Sequence, residues 1–150
     1  AIVDVYIYGK NIYIDEICYQ TEMLASDIIR VLKKDKKNIE VISESADPRL
    51  IDEIYNAGID IKPVKKFAGS IQASIMKMQE YTIHITKRST NVRREFNNYT
   101  YRQDKEGKWL NEPIDMYNHA IDACRYVVME KLLGDYGSGM QAADILGLMG

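Results

Sequence analysis

Polar and apolar residues alternate from the first residue of the chain, in the runs AIVDVYIY and NIYIDEICY. Alternation with a period of two, together with many β-branched and aromatic side chains, predicts two β-strands. Gly9 and Lys10 separate the runs. A two-residue connection that contains glycine is typical of a tight turn, so the pattern predicts that the chain opens with an antiparallel β-hairpin.

After the hairpin, the pattern switches repeatedly between the periods of a helix and of a strand. The apolar spacing predicts helices at 22–35, capped by Thr21, at 45–56, at 70–79, at 90–99, capped by Ser89, and from about 111 to 133. It predicts short strands at 38–43, 59–64 and 81–86, and a second hairpin at 100–110 that turns at 105–107. This alternation indicates an α/β domain with a mixed β-sheet flanked by helices.

Composition and charge narrow the class of protein. The chain has 150 residues, of which 46% are hydrophobic and 28% charged, as in a folded globular domain. Its net charge of −2 excludes an overall basic field, so nucleic-acid binding would need a local basic patch. Cys18 and Cys124 lack the spacing of a metal motif and are expected to be reduced thiols. No apolar run reaches about 20 residues, so we expect no membrane partner.

The pattern also predicts where the domain begins and ends. The first strand starts without a lead-in, which suggests a fragment of a larger protein. The sequence GDYGSG, from Gly134, interrupts the last helical pattern. We therefore expect one domain at 1–134 and a flexible tail at 135–150.

Acidic residues gather at two places in this pattern. Glu44 ends a predicted strand and Asp47 opens the following helix, which is where open α/β sheets usually carry their sites. Asp115, His119 and Asp122 are spaced four and three apart, so they should share one face of the last helix. Carboxylates and an imidazole are suitable ligands for Mg²⁺ or Mn²⁺.

Three of these residues, Asp47, Asp115 and His119, also have a plain structural interpretation. Asp47 precedes Pro48 and could serve as the N-cap of a helix. Asp115 could cap the last helix in the same way, and His119 could be a core histidine. Asp122 is flanked by apolar residues, which leaves it harder to explain. The spacing of these residues alone is compatible both with a metal site and with these structural roles.

The stretch PIDMYNHAIDACRY resembles the closing motif of the nuclease domain of large terminase subunits, the DNA-packaging motors of tailed phages. The segment at 3–20 is similar to the second and third strands of that domain, 43–86 to its central block, and 89–109 to its late helix and hairpin. The order and spacing of these segments match across nearly the whole chain. The resemblance implies a ribonuclease H-like fold and cleavage of double-stranded DNA, largely independent of sequence, by two Mg²⁺ or Mn²⁺ ions.

The resemblance also implies roles for individual residues. Asp122 matches the acid that closes the family's catalytic set, His119 the histidine one turn before it, and Asp115 an acid often found ahead of that histidine. Glu44 matches the middle catalytic acid, which is usually an aspartate, and Asp47 the second acidic position of that motif. The glutamate at 44 leaves open which of these two acids ligates metal.

The family's first acid lies upstream of the position that matches Ala1. The resemblance therefore implies that the catalytic set is incomplete in this chain, and Asp4 is not the missing acid. It also implies an upstream ATPase domain in the same polypeptide, contacts with the small terminase subunit and the portal, and a location in the cytoplasm of the bacterial host.

Basic residues form two short clusters that could contact DNA. Lys65 and Lys66 precede a helix that starts near Ser70, and free amides at a helix N-terminus beside lysines form a phosphate site. The second cluster consists of Lys87, Arg88, Arg93 and Arg94. Such clusters are usually solvated surface. The resemblance favours DNA binding at Lys65, Lys66 and Ser70.

Three functions remain open from the sequence. The first is a packaging nuclease, and the second is a DNA-binding or docking module of the same motor with an incomplete metal site. The third is another ribonuclease H-like nuclease, such as a resolvase, against which the SIQASI and NHAIDACRY patterns argue by resemblance. Metal-dependent nicking of DNA separates the first from the second.

Overall fold

The computed structural model describes residues 1–35 and 38–134, so the predicted tail at 135–150 lies outside the described residues. The strands are β1 (Ile2–Tyr8), β2 (Asn11–Cys18), β3 (Val41–Ser43), β4 (Ile61–Pro63), β5 (Thr82–Ile85), β6 (Tyr101–Gln103) and β7 (Trp109–Pro113). The helices are α1 (Ala25–Asp35), α2 (Pro48–Asn56), α3 (Ser70–Gln79), α4 (Thr90–Asn98) and α5 (His119–Leu132). This order confirms the predicted mixed α/β class.

The chain divides into two compact units. The first combines Ala1–Tyr19 with Tyr81–Cys124, and the second combines the described residues of 20–80 with those of 125–134. Cys18 and Cys124 are both thiols rather than halves of a disulfide, as predicted. Within the described parts of the chain, no helix has the length and apolar character needed to cross a membrane.

A mixed three-stranded sheet forms the centre of the first unit, in the order β1-β2-β5. Strands β1 and β2 are antiparallel and Tyr8 pairs with Asn11, which confirms the predicted hairpin. Gly9 has φ of 58°, a left-handed conformation that glycine adopts without strain. Strand β5 runs parallel to β2. Ile12 and Ile14 of β2 are fully buried, so one face of this sheet packs into the core.

The opposite face of the same sheet carries exposed aromatic rings. Tyr6 pairs with Tyr13 across the hairpin, and Tyr13 pairs with His84 of β5. The Tyr13 and His84 rings stack with their centroids 4.5 Å apart. Tyr6 and Tyr8 are 66% and 69% exposed. We call Tyr6, Tyr8, Tyr13 and His84 the aromatic face.

The second unit contains the parallel pair β3–β4, in which Val41 is opposite Ile61. A buried cluster of Val64, Tyr126 and Met129 lies beside this pair, with the partly buried Ile42 and Phe67 packed against it. Because Tyr126 and Met129 belong to α5, the second half of that helix is anchored in this core.

Helix α1 begins later than the sequence pattern predicts. It starts at Ala25, so the prediction that Thr21 caps it is wrong. Glu22 has φ of 54°, which a right-handed helix does not accommodate. The carboxylate of Asp27 accepts the N–H of Leu24 at 3.1 Å, so an acid in the first turn closes this helix end.

Helix α5 also begins later than predicted, and this changes the candidate site. Residues 111–113 belong to β7, which pairs with β6 in the predicted second hairpin. Tyr117 has φ of 53°, so the chain turns before the helix starts at His119. Asp115 therefore neither caps α5 nor shares its face. Its carboxylate accepts the side-chain amide of Asn118 at 3.1 Å.

We predict that Ile14→Ala lowers the free energy of unfolding by about 2–5 kcal/mol, because it removes methyl groups from a fully buried position. Ile39→Ala is the matched control, since Ile39 is 53% exposed and its truncation should cost within about 0.5 kcal/mol. Urea denaturation of both variants provides the measurement. Equal effects would contradict the assignment of Ile14 to the core.

Candidate functional site

Glu44 lies directly after β3, and both oxygens of its carboxylate accept hydrogen bonds. Oε1 accepts Nζ of Lys66 at 2.5 Å and the N–H of Ser45 at 2.7 Å. Oε2 accepts the hydroxyl of Tyr126, also at 2.5 Å. The strand end and α5 thus hold one acidic side chain in a defined orientation.

These contacts determine the charge of Glu44. Burial raises the pKa of its carboxyl, but the hydrogen bonds from Lys66, Tyr126 and the Ser45 N–H outweigh burial and lower the pKa to about 2. Glu44 is therefore an anion at neutral pH. Its side chain stays 45% exposed, so the carboxylate is accessible to a further ligand.

Asp47 has a structural role, as one of the two interpretations predicted. Its Oδ1 accepts the N–H of Leu50 at 3.2 Å, and Pro48 follows it as the first residue of α2. This geometry confirms Asp47 as the N-cap of α2. A side chain used in this way has less freedom to ligate metal, which favours Glu44 as the metal-binding acid of the pair.

His119 and Asp122 occupy the first turn of α5. The N–H of Asp122 donates to the carbonyl of Asn118 at 2.6 Å, which is the first hydrogen bond of the helix. His119 is exposed and Asp122 is half-buried. The ring of Tyr19 meets the His119 ring edge-on, with centroids 6.4 Å apart. Both side chains can therefore be reached from solvent.

Two glutamates that the sequence analysis missed close the N-termini of α4 and α5. Oε2 of Glu16 accepts the N–H groups of Asn91 and Val92, each at 3.0 Å. Ser89 stands at the N-cap position of α4, as predicted. Its hydroxyl, however, accepts the N–H of Glu16 at 2.7 Å and makes no capping bond. Glu16, from β2, thus replaces the local cap.

Glu95 accepts the first N–H groups of α5, as Glu16 does for α4. Its side chain is fully buried, and Oε2 accepts the N–H groups of Ala120 and Ile121 at 2.7 and 3.0 Å. Oε1 accepts the hydroxyl of Tyr19 at 2.8 Å. Burial and this bond to Glu95 raise the pKa of Tyr19. Neither glutamate lies in a capping motif, so no local sequence signal could have found either of them.

In the first predicted basic cluster, Lys65 and Lys66 are exposed and Ser70 is buried. Lys66 pairs with Glu44 and lies over the ring of Tyr126. The backbone N–H of Lys65 donates to Oε1 of Glu130 at 3.0 Å, which fixes the loop that carries both lysines. Ser70 is 7% exposed and its N–H donates to the carbonyl of Phe67. Its side chain therefore offers little to an external phosphate.

The arginines of the second basic cluster contact other residues of the chain. The guanidinium of Arg88 donates to both carboxylate oxygens of Asp15, at 2.8 and 2.5 Å. Arg93 donates to the carbonyls of Thr86 and Lys87. Arg94 lies over the ring of Tyr19. All three arginines thus have local structural contacts.

The candidate ligands have donor groups that suit a divalent cation. An ionised glutamate, an aspartate and an exposed imidazole are ligands that Mg²⁺ and Mn²⁺ accept. Among residues 1–35 and 38–134, however, no three His, Cys, Asp or Glu side chains are gathered closely enough to hold a metal ion. The chemistry of the donors fits such an ion, and the described residues show no complete ligand set for it.

Comparison with solved structures identifies the fold as ribonuclease H-like. The chain is similar to the nuclease domain of the large terminase from bacteriophage SPP1, solved with bound Mn. The TM-score is 0.79, with 28% identity, over 85% of this chain and 76% of that domain. The fold is also similar to that of the large terminase from a thermophilic bacteriophage. In that case the TM-score is 0.63, with 18% identity, over 85% of this chain and 35% of the other.

Sequence comparison gives the family. The terminase RNase H-like domain family matches residues 1–130, so the chain belongs to that family, as its motifs predicted. The large terminase subunit of Bacillus phage SPP1 is 32% identical over 117 residues, which cover 75% of this chain. The match spans 28% of the length of that relative.

We predict that Lys66→Met and Tyr126→Phe each raise the pKa of Glu44 from about 2 toward its ordinary value of 4.5. Because the folded-state pKa is lowered, the bonds of Glu44 stabilise the fold above that ordinary value, and their contribution is lost as the pH falls toward about 2. A ¹³C NMR titration of the Glu44 carboxyl checks the shift. Lys65→Met is the matched control and should leave it unchanged, whereas a Glu44 pKa near 4.5 in the unmutated chain would contradict the described geometry.

Proposed function

We propose that this chain is the nuclease domain of a phage DNA-packaging motor and hydrolyses phosphodiester bonds of double-stranded DNA with the help of divalent metal. The observation that supports this most is its family membership, together with its similarity to a terminase nuclease domain that was solved with bound Mn. The exposed, ionised carboxylate of Glu44 at a strand end adds to this support, because it suits a metal ligand.

In this proposal Glu44, His119 and Asp122 are the catalytic residues and metal ligands. Asp115 is an additional candidate ligand, whereas Asp47 acts mainly as the cap of α2. Mg²⁺ or Mn²⁺, when bound, would supply an activated water and neutralise the charge of the phosphate. Lys66 and Tyr126 orient Glu44 through their hydrogen bonds, and His119 and Asp122 project from the first turn of α5.

DNA is held, in the same proposal, by phosphate contacts from Lys65 and Lys66. The net charge of −2 gives the domain no general attraction for DNA, so a local basic edge must supply it. The burial of Ser70 makes its side chain a poor member of that edge. Arg88, Arg93 and Arg94 form the alternative path, although each already has contacts within the chain.

The relatives of this chain support a setting in phage DNA packaging, since they are large terminase subunits of phages. We propose that the domain works beside an ATPase domain of the same polypeptide, in contact with the small terminase subunit and the portal, in the cytoplasm of the infected host.

A second proposed function is a DNA-binding or docking module of the same motor, in which the exposed Lys65 and Lys66 hold DNA and the metal site is incomplete. Cleavage assays with Mn²⁺ separate the two functions, because a docking module binds DNA without nicking it.

We predict that Asp122→Asn abolishes Mn²⁺-dependent nicking of plasmid DNA while the fold survives. The amide keeps the shape of the side chain but removes the charge of a proposed metal ligand, and each tenfold loss of rate corresponds to about 1.4 kcal/mol of transition-state stabilisation. The assay uses a longer version of the chain that includes the family's first acid, and circular dichroism verifies folding. Full activity in a folded Asp122→Asn variant would end the assignment.

The same assay ranks the two acids near β3. Glu44→Gln should be about as damaging as Asp122→Asn, because it removes a proposed ligand. Asp47→Asn is the matched control and should be mild, since asparagine caps a helix about as well as aspartate. The reverse ranking would move the metal-binding role from Glu44 to Asp47.

We predict that replacing both Lys65 and Lys66 by alanine lowers the slope of log affinity against log salt by about two units for a short duplex, because each phosphate contact contributes about 0.9. Duplexes of different sequence should bind almost equally, since phosphate contacts carry no base information. The control is the double alanine variant of Lys33 and Lys34, which removes the same charge from the last turn of α1. An unchanged slope in the first variant would place DNA elsewhere, with the three arginines as the next candidates.

A further inference from the structure

Helix α5 is capped by a residue from another helix rather than by its own preceding residues. Asn118 stands at the usual capping position, but its side-chain amide donates to Asp115. The first N–H groups of a helix have no partner within the helix. Those of Ala120 and Ile121 are satisfied by the buried carboxylate of Glu95, on α4.

The contact between Glu95 and α5 acts at the two residues that separate the candidate ligands. Ala120 and Ile121 lie between His119 and Asp122 in the sequence. Because the backbone of a helical residue sets the direction of its Cα–Cβ bond, fixing these two residues fixes the directions in which their neighbours project. Glu95 therefore acts on the placement of both candidate ligands through the backbone of the two residues between them.

Tyr19 connects the same carboxylate to the histidine itself. Its hydroxyl donates to Oε1 of Glu95, and its ring packs edge-on against the His119 ring. Arg94 lies over the Tyr19 ring with its guanidinium carbon 5.8 Å from the ring centroid. One aromatic side chain thus supports Glu95 and limits the positions that His119 can take.

We infer that Glu95 is a positioning residue of the nuclease site, supported by Tyr19, and that it sets the geometry of His119 and Asp122. This inference rests on the proposed role of those two residues in the metal site. It goes beyond that role because it assigns a function to a buried acid on a different helix, which would contact neither metal nor DNA.

Glu16 provides a matched control. It closes the N-terminus of α4 with the same chemistry, through the N–H groups of Asn91 and Val92. Substitution of Glu16 removes a comparable cap from the N-terminus of α4 instead of α5. An effect that appears with changes at Glu95 and not at Glu16 therefore reports positioning at α5 rather than a general loss of stability.

The first test is amide hydrogen exchange with NMR of the His119 ring, on the 150-residue chain. In Glu95→Ala the protection of the Ala120 and Ile121 amides should fall by roughly tenfold or more, and the His119 ring signals should shift. Glu95→Gln keeps an acceptor oxygen and should restore most of the protection. Glu16→Ala should expose Asn91 and Val92 and leave Ala120 unchanged.

Tyr19→Phe covers the case in which Glu95→Ala does not fold. It removes only the hydroxyl that supports Glu95, and we expect it to shift the His119 signals and to weaken protection at Ala120. The inference is overturned if the folded variants at Glu95 and Tyr19 change the Ala120 and Ile121 amides and the His119 ring no more than Glu16→Ala does.

The second test measures cleavage in the longer version of the chain. Glu95→Gln should lower kcat by about ten- to a hundredfold with the Kd for DNA unchanged, because small misplacement of reacting groups has effects of this size. Glu16→Gln should leave kcat within about threefold of the unmutated value. Absence of cleavage in the unmutated protein would count against the proposed function, while the amide exchange would still decide whether Glu95 positions α5.

Discussion

The first unit depends on a carboxylate that water does not reach. Glu95 is fully buried and accepts hydrogen bonds from Ala120, Ile121 and Tyr19. Leaving a buried polar group without its hydrogen-bond partner typically costs about 1–3 kcal/mol, a large part of the roughly 5–15 kcal/mol that stabilises a domain. Glu16 makes a similar contact at the start of α4, where it accepts the N–H groups of Asn91 and Val92.

Glu44 in the second unit shows how differently the same side chain can be used. Its partners are the side chains of Lys66 and Tyr126 and a single backbone N–H, and almost half of its surface faces solvent. A lysine can exchange one anionic partner for another, whereas the backbone N–H groups bound to Glu95 have no alternative partner within their own helix. Exposure and the type of donor thus distinguish a carboxylate suited to ligand binding from one that maintains the fold.

The elements that local patterns determine could be predicted from the sequence. The alternation around Gly9 predicted the first hairpin, and Asp47 before Pro48 predicted the cap of α2. The start of α5 was misplaced because the positive φ of Tyr117 has no sequence signature. Glu16 and Glu95 were missed because each caps a helix distant in sequence. Candidate ligands were recognised through family motifs, and their roles stay predictions because no complete ligand set appears among the described residues.

The aromatic face has a practical consequence for work with the domain in solution. Tyr6, Tyr8 and Tyr13 present their rings to solvent on one side of the sheet, with 66%, 69% and 41% of each residue exposed. Large exposed rings that lie together favour association between molecules through their apolar surface. A net charge of −2 provides little electrostatic repulsion to oppose this. We therefore expect the aromatic face, which carries none of the candidate catalytic residues, to promote self-association of the purified domain as its concentration rises.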